Sequence, residues 1–191
     1  MIHSNLLGLN QWNFIKMKLD GNETPWFRSS SAEPVANFND PKKPYAEGFA
    51  HLIYSKDKGS VSNLFDITLP ILLQALDRQN LILKDLYRIR VGMFTRVPEE
   101  IIHPAHRDNP EACPQPHTVG IYYPTHSDGD TIIYNETTDS DNYTIKEKCT
   151  PTGNVWFNFD GKYYHSSSAP QKHDTRIAIT YNYLAEKDNL F

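Results

Sequence analysis

The 191-residue chain is poor in cysteine, and its two, Cys113 and Cys149, are far apart and in no CxxC pair. That excludes a disulfide framework and the usual structural zinc modules. No apolar run approaches the ~18 residues of a membrane span; Leu6-Leu7-Gly8-Leu9 is the nearest thing to one near the N-terminus, and no basic segment precedes it. A secretory leader is therefore not expected, and the reducing cytoplasm is the expected compartment. Asn22-Glu-Thr, Asn135-Glu-Thr and Asn142-Tyr-Thr match the glycosylation pattern by coincidence on this reading. The net charge is only −4, so there is no general pull towards nucleic acid or an anionic membrane. Internal repeats and low-complexity tracts are missing as well.

What is present suits a single domain over residues 1–191, with 39% hydrophobic and 12% aromatic residues. Residues 1–48 read as an N-terminal extension of irregular chain and short strands. Trp12-Asn-Phe14-Ile15 and Pro25-Trp26-Phe27 are apolar islands, and the three prolines between Pro34 and Pro44 mark a loop. Trp12, Trp26 and that loop are candidates for a flap over a site. Residues 49–86 supply a strand over 49–54 and the clearest helix, over about 66–80. Its Leu69, Leu72, Leu73 and Leu76 recur at spacings of three and four, Asp66 and Thr68 are possible N-caps, and Pro70 falls in the first turn. From Leu83 the pattern turns β-like. Tyr87–Arg96 alternates, and short strands follow at 119–123, 130–134, 142–146, 154–159 and 176–183, split by Gly, Pro, Asp and Ser clusters. Many short strands with one helix predict a mainly β fold, a β-sandwich or jelly roll whose core spans residues 87–185.

Within it His106-Arg-Asp108 places an imidazole and a carboxylate two residues apart, on one face if the segment is a strand. His165 lies about sixty residues on, at the expected end of a strand Tyr163-Tyr164-His165. Two His and one carboxylate on one face of a divalent ion leave open positions, the ligand set of non-haem Fe(II) oxygenases. An HxD triplet arises easily by chance, and there is a second, His126-Ser-Asp128. It sits in a cluster of turn residues, Pro124–Gly129, which reads as a hairpin loop and not as a ligand pair.

Arg176 raises the stakes. Its strand puts Arg176, Ala178, Thr180 and Asn182 on one face, and Ile177, Ile179, Tyr181 and Tyr183 on the other. The apolar face can pack under the helix; the other points inward, where an unpartnered guanidinium is costly. Its partner is either an Asp or Glu of the protein or the carboxylate of a bound dicarboxylic oxo-acid, which the planar fork suits.

His106-x-Asp108, His165 and Arg176, in this order, resemble the double-stranded β-helix Fe(II)/2-oxoglutarate-dependent dioxygenases, most of all prolyl-4-hydroxylase-like members, including short ones of bacteria and phages. Asn109-Pro110, Ile121-Tyr-Tyr123, Asp128-Gly129-Asp130-Thr131 and Arg176-Ile-Ala-Ile-Thr180 are similar to family segments, and the likeness spans roughly residues 87–183. The resemblance implies a cupin-like double-stranded β-helix with the helix on one outer face. It implies iron on His106, Asp108 and His165, and 2-oxoglutarate held at its far carboxylate by Arg176 with help from Tyr123 and Thr180. It also implies a reaction that couples O2 and oxidative decarboxylation of 2-oxoglutarate, to succinate and CO2, with hydroxylation of an unactivated C–H bond. Asp128 in place of a turn glycine, Pro124 after the tyrosine strand and Ala178 two residues after Arg176 depart from the pattern and bear on the substrate. By resemblance that substrate is a protein or peptide side chain, prolyl favoured. The alternatives are a small molecule such as a free amino acid, a non-catalytic jelly-roll binding module, or a zinc-holding cupin. Base demethylation is disfavoured because position 182 is Asn where such relatives carry a second Arg.

Of the remaining histidines, His103, His117, His126 and His173 are expected in solvated loops. Arg88, Arg90, Arg96 and Arg107 form either a solvated face or a recruiting surface for an acidic or phosphorylated substrate.

Overall fold

The computed structural model describes residues 1–20, 23–29, 48–108 and 113–187. Two antiparallel sheets make up its body. The larger runs in the order β1 (Ile2–Ser4), β9 (Val155–Asp160), β6 (Thr118–Tyr123), β11 (Thr175–Lys187), β5 (Leu81–Thr95), β3 (Gly48–Ser55) and β2 (Phe27–Ser29), with β4 (Gly59–Ser60) paired to β3. The smaller is β10 (His165–Ser167), β7 (Thr131–Tyr134) and β8 (Ile145–Cys149). The mainly β, jelly-roll expectation holds. No helix among the described residues is long and apolar enough to cross a membrane.

Both faces of the larger sheet are covered. On the outer face Ile89, Val91, Ile177, Ile179, Tyr181 and Tyr183 pack with Ile71, Leu72, Ala75 and Leu76 of α2 (Phe65–Asp77), so the period-2 and period-3.6 stripes meet as the sequence predicts. Tyr181 also donates its hydroxyl to the Thr68 carbonyl over 2.9 Å. Gly120 is required beneath this layer, because a Cβ there would stand 2.3 Å from the Trp156 ring. On the inner face Val119, Ile121, Tyr123, Phe157 and Ala178 meet Ile133 and Cys149 of the smaller sheet.

Several local expectations need correction. The N-terminal region contains a helix, α1 (Leu9–Asp20), not only loops and strands. Ile15 and Leu19, four apart, bury its inner edge, and Trp12 Nε1 ties it to the Pro124 carbonyl over 2.6 Å. Trp12 and Trp26 pack against the helix-side core and so form no flap; residues 34–44 lie outside the described residues, as do Asn109 and Pro110. α2 starts after Leu64, without a side-chain cap. Thr68 bonds back to the Leu64 carbonyl over 2.8 Å instead of capping, and Asp66 sits in the first turn. The strand expected at 142–146 forms at Ile145–Cys149. The 124–129 segment is no hairpin, because β6 and β7 belong to different sheets and the segment crosses between them.

Candidate metal centre

Strand β5 carries Arg88, Arg90, Gly92 and Phe94 on its inner face, opposite Asn182, Thr180, Ala178 and Arg176 of β11. Residues paired across a sheet share a face, so this double row floors a cleft between the two sheets. Gly48, Phe49, Ile121 and Thr131 line it as well, together with His106, Asp108 and His165, and it is partly open to solvent. Gly92 and Ala178, paired at mid-floor, are the smallest side chains of those two rows and leave the room.

His106 is not on a strand, as the HxD reading supposes. It forms an isolated bridge with His165, which opens β10 and does not close a strand. The two residues exchange backbone hydrogen bonds, His106 N–H to the His165 carbonyl and the reverse, both 2.9 Å. This reciprocal pair sets the imidazoles 4.5 Å apart between ring centres. Asp108 reaches the same point, and one ligand-capable atom from each of the three residues lies within 4.8 Å of the others.

The donor set fits a divalent metal. His106 Nδ1 lies 3.2 Å from the Pro104 carbonyl and His165 Nδ1 lies 3.4 Å from that of Tyr163. Those carbonyls favour the Nδ1–H tautomer and leave each Nε2 as a lone-pair donor. Burial, with His106 nearby, pushes the His165 pKa down to about 4, so its ring is neutral at pH 7. Burial pushes the Asp108 carboxyl the other way, but the Arg88 guanidinium and the two histidines hold it well below the usual carboxylate range. It is therefore anionic. Arg88 Nη2 donates to Oδ1 and Asn182 Nδ2 to Oδ2, each over 2.6 Å. A carboxylate offers about four lone-pair sites, so two bonds leave capacity for a cation.

At the other end of the floor Arg176 is 4% exposed. Its Nε donates to the Gly129 carbonyl over 2.8 Å and its Nη2 to Thr131 Oγ1 over 2.6 Å. Tyr123 holds that Thr131 hydroxyl at 2.5 Å, and its ring lies 5.6 Å from the guanidinium carbon. No Asp or Glu among the described residues pairs with Arg176, so none of these makes the internal salt bridge considered above. Gly129 is required here, because a Cβ would meet the Ser168 carbonyl at 2.5 Å and Arg176 Cδ at 2.7 Å. Thr180 lines the floor between Arg176 and Asn182.

The second HxD stays away from the cluster. Asp128 accepts backbone N–H bonds from Gln171, Lys172 and His173 at 2.9–3.2 Å and the His173 ring at 2.9 Å, fixing the turn before β11. His126 and His173 are exposed as expected; His103 and His117 are not, His117 being buried and His103 stacked on Phe94 at 4.0 Å. Arg96 and Arg107 are exposed, whereas Arg88 and Arg90 line the cleft. Sequence reasoning missed Thr131 as a site residue, and it missed the Arg88–Asp108–Asn182 network. The only available signal for the network was Arg88 and Asn182 on inward faces of adjacent strands.

No family model and no curated protein matches the sequence. Solved structures do. A 2OG-Fe(II) oxygenase family oxidoreductase from Burkholderia pseudomallei aligns at TM-score 0.60 and 9% identity, over 96% of this chain and 84% of that one. The fold is that of these oxygenases. A prolyl hydroxylase from Trichoplax adhaerens, in complex with a hypoxia inducible factor peptide fragment, aligns at TM-score 0.56 and 15% identity over 96% and 82%. The α-ketoglutarate-dependent epimerase SnoN from nogalamycin biosynthesis aligns at TM-score 0.61 and 11% identity over 100% and 82%.

Proposed function

We propose that the chain is an Fe(II)- and 2-oxoglutarate-dependent dioxygenase that hydroxylates a C–H bond of a protein or peptide side chain, with prolyl the favoured residue. One observation carries the reading: a cluster of two imidazoles and one carboxylate shares a cleft with Arg176, a buried guanidinium without an acidic partner among the described residues. His106, Asp108 and His165 would hold the iron. Bound there, iron with 2-oxoglutarate and O2 supplies the oxidising chemistry, releasing succinate and CO2.

The chain's own residues do the rest. Arg176 receives the distal carboxylate of 2-oxoglutarate with a planar fork that Thr131 and Gly129 keep from turning. Tyr123 fixes Thr131 from behind, and Thr180 adds a hydroxyl along the same face. The open side of the cleft admits the substrate. The peptide seen with the Trichoplax neighbour supports a peptide substrate. The SnoN likeness favours, as a second reading, a small molecule processed by the same mechanism. Anaerobic Fe(II) plus 2-oxoglutarate is expected to produce a weak visible metal-to-ligand charge-transfer band. Incubation with a peptide library and, separately, free amino acids should then give a +16 dalton product that depends on 2-oxoglutarate. Absence of the band in reconstituted protein would leave the binding-module reading.

A further inference from the structure

Arg88 has no part in the roles proposed above, yet it forms an ion pair with Asp108. It rises from β5 directly opposite Asn182 on β11, and its side chain is 19% exposed against 7% for Asp108. Its Nη2 reaches Asp108 Oδ1 over 2.6 Å while its Nε donates to Asn182 Oδ1 over 3.0 Å. Asn182 completes the ring by donating to Asp108 Oδ2 over 2.6 Å. The carboxylate is thus gripped at both oxygens from two adjacent strands, and no other carboxylate among the described residues pairs with Arg88.

This arrangement has two physical consequences. The Asp108 carboxylate cannot rotate about its last torsion without breaking a charge-assisted bond, so its remaining lone pairs keep one direction. It also shares its negative charge with a guanidinium in a poorly solvated place, where Coulomb terms are least screened. Groups hydrogen-bonded to a metal ligand orient that ligand and tune the metal.

We propose that Arg88 is a positioning residue that makes Asp108 a fixed and electron-poor ligand, holding the carboxylate towards His106 and His165 while drawing charge away from the bound metal. The inference rests on the reading of the His106–Asp108–His165 cluster as an Fe(II) site. Orientation depends on the fork and charge withdrawal on the positive charge, and two substitutions separate them. Arg88→Lys keeps the charge and loses the fork; Arg88→Gln keeps a donor and loses the charge.

Two measurements on the full chain test the idea, Co(II) affinity by absorption titration and the position of the anaerobic Fe(II)–2-oxoglutarate charge-transfer band. Arg88→Lys is expected to weaken Co(II) binding about tenfold or more, in the range usual for lost partners of metal ligands, with the band where it is in the wild type. Arg88→Gln is expected to move the band to longer wavelength, because a more electron-rich ferrous ion gives up an electron to the oxo-acid more easily. Wild-type affinity and band in both variants, with only a lowered melting temperature, would make Arg88 a plain buried ion pair and overturn the proposal. A wild-type protein that neither binds Co(II) nor forms the band would instead remove the metal reading, and the inference with it.

Discussion

Asn182 and Asp108, 74 positions apart in the chain, meet through a 2.6 Å bond from Nδ2 to Oδ2. Asn182 is fully buried, and its amide serves both members of the ion pair, donating to the carboxylate and accepting from Arg88. Asn182→Ala would leave a charged acceptor and a charged donor each short of a bond. A loss of about 2 kcal/mol in urea denaturation of the metal-free protein is expected, together with weaker Co(II) binding.

Asp108→Ala should abolish metal binding and uncoupled succinate formation. It also strands Arg88 in the cleft, so a stability loss of roughly 3–5 kcal/mol should accompany it. His126→Ala and Asp128→Ala are expected to leave Co(II) titrations unchanged, although Asp128→Ala removes the acceptor for three backbone N–H groups and should speed amide exchange over 171–173. The reverse pattern would make His126 and Asp128 the metal ligands instead.

Arg176→Lys replaces a fork held at two points by a point charge. The expected outcome is a 2-oxoglutarate KM raised by about tenfold or more, an estimate from the loss of one charge-assisted bond. Gly129→Ala should reproduce it without touching the arginine's charge, because the new methyl group would collide with Arg176 Cδ and with backbone. Wild-type 2-oxoglutarate affinity in both variants would take Arg176 out of that role.

His103 donates from Nδ1 to the Ser167 carbonyl at 2.7 Å, and burial holds its pKa down to about 4. In the unfolded chain its ring titrates at the ordinary value of about 6.5. Between these values the unfolded state binds more protons, so stability should fall as pH drops from about 6.5 to 4 and stop changing with this group below that. His103→Phe keeps the stack on Phe94 and removes the titration. The variant should lose on the order of 2 kcal/mol less than the wild type across that window, measured by denaturation at fixed pH values.

What was legible in the sequence follows from periodicity. α2 and β11 each show one apolar face, and those faces are the ones that meet; the inward row Arg176, Ala178, Thr180 and Asn182 was equally plain. α1 was not. Leu9, Phe14 and Met17 stay exposed while only Ile15 and Leu19 are buried, so hydrophobicity marks no clean stripe there. The HxD pair is visible by residue type and spacing, but its expected strand is not there, because the positioning comes from one bridge to His165, 59 residues on. The Arg88 pairing has no local trace. It exists only once β5 and β11 lie side by side, and periodicity cannot say which strands become neighbours.

The paired backbone bonds between His106 and His165 carry a kinetic consequence. Main chain, not the cation, sets the spacing of the two rings, so ions should enter and leave without refolding the segments that hold them. Exchange of one divalent ion for another should then be limited by dissociation of the departing ion, and the amide of residue 165 should stay protected from deuterium whether or not chelator is present.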